Sequence, residues 1–201
     1  MTIVAAPAAL EPGSLEVRIL DAALVRFEKV GVKKTTIEDI ARQAGVDRVT
    51  VYRRIGSRDD VVGAVTRREV AAVLADLAAG AAQQDTVEDL VVTVFSVIMT
   101  RWRSHALVNR MLALEPERLM AKLTTDGEET SNMGVAAMVA VFRDAVQRGL
   151  LPASDDLVTR VELLCRMIHS FFVAPFGTIR LTTDAELAEF ARVYLVPLVT
   201  G

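Results

Sequence analysis

The sequence predicts an all-α protein: an N-terminal three-helix head of helix-turn-helix form, then a larger C-terminal helical bundle, about nine helices altogether. Three observations carry this. Apolar residues recur at helical spacing along most of the chain, without notable strand alternation. Glycines, hydroxyls and carboxylates punctuate that spacing where helices would end and begin. The basic residues gather early. Residues 1–70 hold 12 Lys/Arg against 10 Asp/Glu, a net of +2, while residues 71–201 hold 11 against 16, a net of −5. Residues 31–58 alone carry seven basic and three acidic residues, a net of +4. A basic segment on an acidic body hints at a polyanion-binding head.

Each element follows in order. Residues 1–13 are rich in Ala and Pro, end in Pro12-Gly13, and read as a disordered arm. Ser14 caps a first helix with Val17, Leu20, Leu24 and Phe27 on one face, and Gly31 stops it. Thr35 and Thr36 each have a carboxylate three residues on, Glu38 and Asp39, so either can begin the next helix with a capping box. That helix places Ile37, Ile40, Ala41 and Ala44 together and ends at Gly45. Asp47 caps another short helix carrying Val51 and Ile55, closed by Gly56. Ser57 with Asp60 opens a long helix to about Ala79. Gly80 to Asp85 breaks the pattern. Helices then run over Thr86 to Arg103, His105 to Glu115, a short piece from Pro116, and Glu129 to Arg148. Ser154 caps one reaching Ala174, and Thr183 caps the last, which ends near Pro197. The β-branched residues between Val91 and Val97 still fit a helical period.

Composition narrows the class. Apolar residues make up 52% of the 201 and charged residues 24%, so a large core forms and general disorder is excluded. The longest stretches dominated by apolar residues, 90–99 and 133–142, fall far short of the roughly 18 residues that span a bilayer. The N-terminus lacks the basic start and apolar core of a secretory signal. Cys165 is the sole cysteine, which excludes an intramolecular disulfide and a multi-cysteine zinc module. A soluble cytoplasmic protein is expected, with no membrane partner.

Residues 36–55 carry the chemistry. Two short helices meet at a tight glycine joint, with small Ala41 and Gly45 where they cross. Ile37, Ile40, Val46, Val51 and Ile55 point inward, which leaves Arg48, Val49, Thr50, Tyr52 and Arg53 outward on the second helix. Arginines neutralise phosphates, and Thr and Tyr hydroxyls fix register on a nucleic-acid backbone. Thr50 and Tyr52 are expected on phosphates. Arg48 and Arg53 are expected on DNA, where one can reach a guanine edge through a bidentate pair. Lys33, Lys34 and Thr36 are expected on the backbone. Arg58 is either a cap or a phosphate partner. Arg54 is either a further DNA contact or turned toward the first helix, and Arg67 and Arg68 are read as solvated charges. The alternatives are a surface tyrosine at Tyr52 packed on the neighbouring helix, and solvated charges at Arg48 and Arg53.

This segment resembles the N-terminal DNA-binding domain of the TetR (tetracycline-repressor-like) family. The likeness rests on Gly31, Thr35-Thr36-Ile37, Ile40-Ala41, Ala44-Gly45-Val46, Thr50-Val51-Tyr52 and Gly56-Ser57-Arg58-Asp59-Asp60-Val61, and spans roughly residues 14–65. Two positions depart from it. Val49 stands where members often carry Gly, and either touches a thymine methyl or holds the helix off the groove. Ile55 replaces a usual aromatic and still fills a core slot.

The resemblance implies a one-component transcriptional regulator, a repressor in the commoner case. It implies a homodimer on a palindromic operator of double-stranded DNA, released by an unknown small-molecule effector. Residues 14–60 then form the DNA-binding domain and residues 61–201 the ligand-binding and dimerisation domain. The last two long helices, 154–174 and 183–196, would build a four-helix dimer interface, in line with Leu163, Phe171, Phe172, Phe190, Tyr194 and Leu198. In such a protein the helices after the fourth enclose the effector. Phe95, Met99, Trp102, Met111, Met133, Met138, Phe142, Met167 and Phe171 are its candidate lining, with plain core packing the alternative for each. The acidic body mildly favours a neutral or cationic ligand.

Other chemistry finds little support. Glu162, Cys165 and His169 share a helix face, yet a packed Cys and a packing or interface His explain them without a metal. His105 reads as a satisfied structural residue. Asp155-Asp156 and Glu128-Glu129 sit at helix starts, where the macrodipole favours carboxylates. No Ser/His/Asp spacing, phosphate-binding glycine loop or nucleotide fingerprint is present, so neither an enzyme nor a cofactor is expected. The competing reading is a helical small-molecule-binding protein or enzyme with a non-functional DNA head. Its mark would be loss of Arg48, Thr50, Tyr52 and Arg53, all of which are present.

Overall fold

The computed structural model describes residues 13–201. The N-terminal arm expected over residues 1–13 lies, but for Gly13, outside the described residues. The helices are α1 (Leu15–Val30), α2 (Ile37–Ala44), α3 (Arg48–Arg54), α4 (Arg58–Ala82), α5 (Val87–Ser104), α6 (Ala106–Leu114), α7 (Pro116–Leu123), α8 (Glu128–Gln147) and α9 (Leu157–Val173). A final rod joins α10 (Asp184–Phe190), a π turn over Ala191–Leu195 and α11 (Val196–Thr200). Among the described residues there is no strand, and no helix is long and apolar enough to cross a membrane.

Local side-chain chemistry fixes most helix starts. The Ser14 hydroxyl accepts the Val17 N–H at 3.3 Å. Thr36 and Asp39 form a reciprocal capping box at α2, and Ser57 and Asp60 another at α4. Of the two adjacent threonines, Thr36 is the cap. Thr35 is buried and donates its hydroxyl to the Gly31 carbonyl at 2.8 Å. The long central helix reaches Ala82, three residues past the expected end.

Two sequence expectations are corrected. Ser154 does not cap α9. That helix begins at Leu157, after a turn in which the Leu157 N–H meets the Ser154 carbonyl at 3.3 Å, and Asp156 is the N-cap. The Ser154 hydroxyl is spent on the Asp156 carboxylate, which Arg160 also grips at 2.8 Å. Nor does Pro197 end the last helix, which continues to Thr200. A proline lacks an N–H and its ring presses on the carbonyl four residues back. The π turn just before it widens the backbone there and lets the helix run on.

Apolar side chains gather in two cores. The first joins Ile19, Leu20, Phe27, Ile37, Ile40 and Val51 of the first three helices to Val61, Val62 and Val65 of α4. Leu107, Met111 and Leu119, from α6 and α7, complete it. On α1, Ile19, Ala22 and Ala23 are packed more tightly than the expected Val17 and Leu24, which are half-buried. The second core joins Leu77 and Ala81 of α4 to α5, α8, α9 and the last rod, around Phe95 and Phe142. Phe95 packs edge-on against Phe171 at 6.2 Å and lies 5.5 Å from Phe190. The central helix α4 runs through both cores, so the head and body share a rigid element.

Candidate nucleic-acid interface

The turn between α2 and α3 sets the site. Gly45 adopts φ +68°, the left-handed region that closes a helix with little strain only for glycine or asparagine. The Val46 N–H returns to the Ala41 carbonyl at 3.0 Å, and Arg18 braces the Ala44 carbonyl at 2.9 Å. Asp47 then caps α3 by accepting the Thr50 N–H at 2.7 Å. That backbone hydrogen bond is the main reason its carboxyl is held below the usual range.

The seven residues of α3 divide cleanly. Val51 is fully buried, Val49 is 66% exposed and Tyr52 50% exposed. Arg48 and Arg53 are exposed beside them, and Thr50 is half-buried. Lys33, Lys34 and Thr36 are exposed on the preceding loop. The pairing of the head's cations is equally divided. Arg54 meets Glu16 at 3.2 Å, so it does turn toward α1, and Arg42 meets Asp39 at 3.3 Å. Arg67 and Arg68, expected as solvated charges, instead pair with Glu129 at 3.5 Å and Asp21 at 2.8 Å. These pairs tie α4 to α8 and α1. Among the described residues, the charged ends of Lys33, Lys34, Arg48 and Arg53 have no partner. Lys29 is also unpaired, but it sits in the last turn of α1, where a cation is favoured.

Arg58 is placed differently from its companions. Its Nε donates to the Thr35 carbonyl at 2.8 Å and its Nη2 to the Val32 carbonyl. It holds the loop that carries Lys33, Lys34 and Thr36. A second residue touching that loop, Glu115, is not singled out by any motif. Its carboxylate accepts the Lys33 N–H at 2.8 Å, and only its proximity to the helix-starting Pro116 marks it in sequence.

The candidate effector residues do not converge on one place. Phe95, Met138 and Phe142 are fully packed in the body core, with Met99 beside them. Met167 and Phe171 are half-buried on its edge, and Met133 is half-buried on α8. Met111 belongs to the head-side core, because α6 packs against α1. Trp102 also borders that core and stacks on Phe172 at 4.2 Å, bridging the two cores. An open apolar groove lies elsewhere, lined by Arg180, Ala185, Glu186, Glu189, Phe190 and Tyr194.

Three polar side chains of α9 lie in the body, outside the helix-turn-helix. Glu162 pairs with Arg166 at 2.9 Å, and Cys165 packs on the body core with its thiol pushed up to about 11 by burial. His169 is exposed, its ring roughly perpendicular to that of Phe172. No group of three His, Cys, Asp or Glu among the described residues is arranged to hold a metal. His105 is satisfied on one side only. Its Nε2 meets Glu69 at 3.4 Å, while its buried Nδ1 has no partner. The hydrogen bond from His105 is the main cause of the lowered Glu69 pKa.

This geometry defines a helix-turn-helix protein with a helical body. Residues 19–65 match the family described as bacterial regulatory proteins, tetR family. The HTH-type transcriptional regulator Mb2274c of Mycobacterium bovis is 40% identical over 60 residues. That match covers 30% of this chain and 32% of the relative. The whole fold is similar to the TetR family repressor AlkX of Dietzia sp., with a TM-score of 0.72 at 16% identity, over 94% of this chain and 97% of that one. It is also similar to the transcriptional repressor QsdR of R. erythropolis, with a TM-score of 0.66 at 19% identity, over 92% and 94%. Residues 19–65 thus carry a segment of the tetR type, and the chain as a whole shares the fold of the solved repressors it is similar to.

Proposed function

We propose that the protein is a dimeric repressor that reads a palindromic operator and leaves it when a small molecule binds the body. The observation that carries this is the unpaired state of Lys33, Lys34, Arg48 and Arg53, all exposed on α3 and the loop before α2, while neighbouring arginines of the head are paired. Unpaired cations beside exposed hydroxyls suit a phosphate backbone. In this reading Lys33, Lys34, Thr36, Thr50, Tyr52 and Arg53 hold phosphates. Arg48 and Val49, at the N-terminal end of α3, face the base edges. Arg58 positions the loop rather than touching DNA.

Residues 14–60 act as the head and residues 61–201 as the effector-binding and dimerising body. A single short recognition helix reads few base pairs, and two copies on a two-fold axis read half-sites about 34–36 Å apart. Val158 and Leu163 on α9, with Val193 and Tyr194 on the last rod, are exposed apolar residues suited to that pairing. Effector and operator prefer different spacings of the two heads, relayed through α4, so each weakens the other's binding.

Selection of bound duplexes from a random-sequence library tests the reading. An enriched palindrome whose affinity drops steeply with salt supports it. Arg48→Ala and Tyr52→Phe should each weaken binding to that duplex. If neither does at 50 mM salt, the assigned face is wrong.

A further inference from the structure

Glu115 is the one charged side chain among the described residues that is buried, at 3% exposure. It stands at the corner between α6 and α7, and its Oε1 accepts the Lys33 N–H across 82 residues of sequence. Its Oε2 is buried without a hydrogen bond, with Arg118 Nε at 3.4 Å. Gly31 makes room for it. A Cβ there would stand 2.8 Å from Oε1 and 3.2 Å from a Leu114 methyl, and the φ of +91° already disfavours any other residue. Nearby, Arg110 of α6 donates to the Glu28 carbonyl of α1 at 2.6 Å.

The short loop 31–36 is thus held from two sides. Arg58 of α4 takes the Val32 and Thr35 carbonyls, and Glu115 takes the Lys33 amide. The loop presents the unpaired ends of Lys33 and Lys34 and the exposed Thr36. Burying a carboxylate is unfavourable, and the Lys33 N–H is the one hydrogen bond this one accepts, so a loop shape that keeps the contact is favoured over one that loses it.

We propose that Glu115 is a positioning residue for DNA binding. It fixes the loop so that Lys33, Lys34 and Thr36 face a phosphate backbone, and the α6–α7 corner sets head affinity alongside α4. The proposal rests on the DNA-binding reading above.

The test uses the full chain and the palindromic duplex recovered by selection with the unaltered protein. Without Glu115 the loop must order on DNA, and ordering one residue's backbone weakens binding by about tenfold per head. E115A should show that loss, together with a salt slope shallower by about one for each phosphate contact released. E115Q keeps an acceptor for the Lys33 N–H and should bind within about threefold of the original. E115D, shorter by one methylene, should behave like E115A and serves where E115A does not fold. The Lys33 amide should exchange faster in E115A and E115D than in E115Q. In a double-mutant cycle, Lys34→Ala should matter far less once E115A is present.

Original affinity and slope in both E115A and E115D, or strictly additive losses with Lys34→Ala, would overturn the proposal while leaving DNA binding intact. Failure of the unaltered protein to bind any duplex at low salt would instead remove the DNA reading, and this proposal with it.

Discussion

Salt dependence gives the sharpest test of the free-cation surface. Lys33, Lys34 and Arg53 lack partners in one head and are the cations proposed for phosphates, so a two-headed complex of the proposed kind would neutralise about six phosphates, and log K should fall against log salt with a slope of about −5.4. Between 50 and 200 mM salt that amounts to a loss of roughly 2,000-fold in affinity. Arg53→Ala in both heads removes about two contacts, so the slope should relax to about −3.6 and the loss to roughly 150-fold. Fluorescence anisotropy with the selected duplex at four or five salt concentrations measures both. A slope near half the expected value would mean that one head binds at a time. An unchanged slope in Arg53→Ala would refute the phosphate role, and an Arg53→Ala penalty that stays constant with salt would move Arg53 to base reading or to folding.

Three further outcomes follow from the local chemistry. Thr36→Ala breaks the α2 capping box and should lower stability by about 1 kcal/mol in urea unfolding, with an unchanged denaturant slope. Glu186 accepts hydrogen bonds from the Thr182 hydroxyl and from the Thr183 and Thr182 amides, which hold its carboxyl down at about 2. Because the folded value lies below the unfolded one, its stabilisation is present above the ordinary glutamate range and is lost as pH falls toward 2. Glu186→Gln should flatten that part of the stability–pH curve. Cys165, with its thiol near 11, should resist a disulfide reagent at pH 8 in the folded protein and react once urea unfolds it.

Much of the head was legible because its determinants are local. Thr36 with Asp39, Ser57 with Asp60, and Gly45 each act within a few residues of one another. The outward face of α3 follows from its period, since burying Val51 leaves Arg48, Val49, Tyr52 and Arg53 outside. What escaped depends on partners far apart in sequence. Arg58 reads as a cap or a phosphate partner until Val32 and Thr35, 23 to 26 residues earlier, are seen to occupy it. Glu115 finds Lys33 across 82 residues. Met111 and Trp102 have the composition of a pocket lining, but which core they enter depends on how α6 crosses α1. Pro197 reads as a stop because no sequence rule announces the π turn that accommodates it.

The composite head-side core bears on how such a protein tolerates recombination. A chimera that grafts another DNA-reading segment onto this body by cutting near residue 60 would separate Val61, Val62 and Val65 from their packing partners on α1–α3. It would also confront Leu107, Met111 and Leu119 with a foreign surface, and leave the Glu115 carboxylate facing whatever replaced Lys33. Successful exchange requires those α6 and α7 positions to travel with the graft. Within a lineage the two stretches would then change together, although more than forty residues lie between Val65 and Leu107 along the chain.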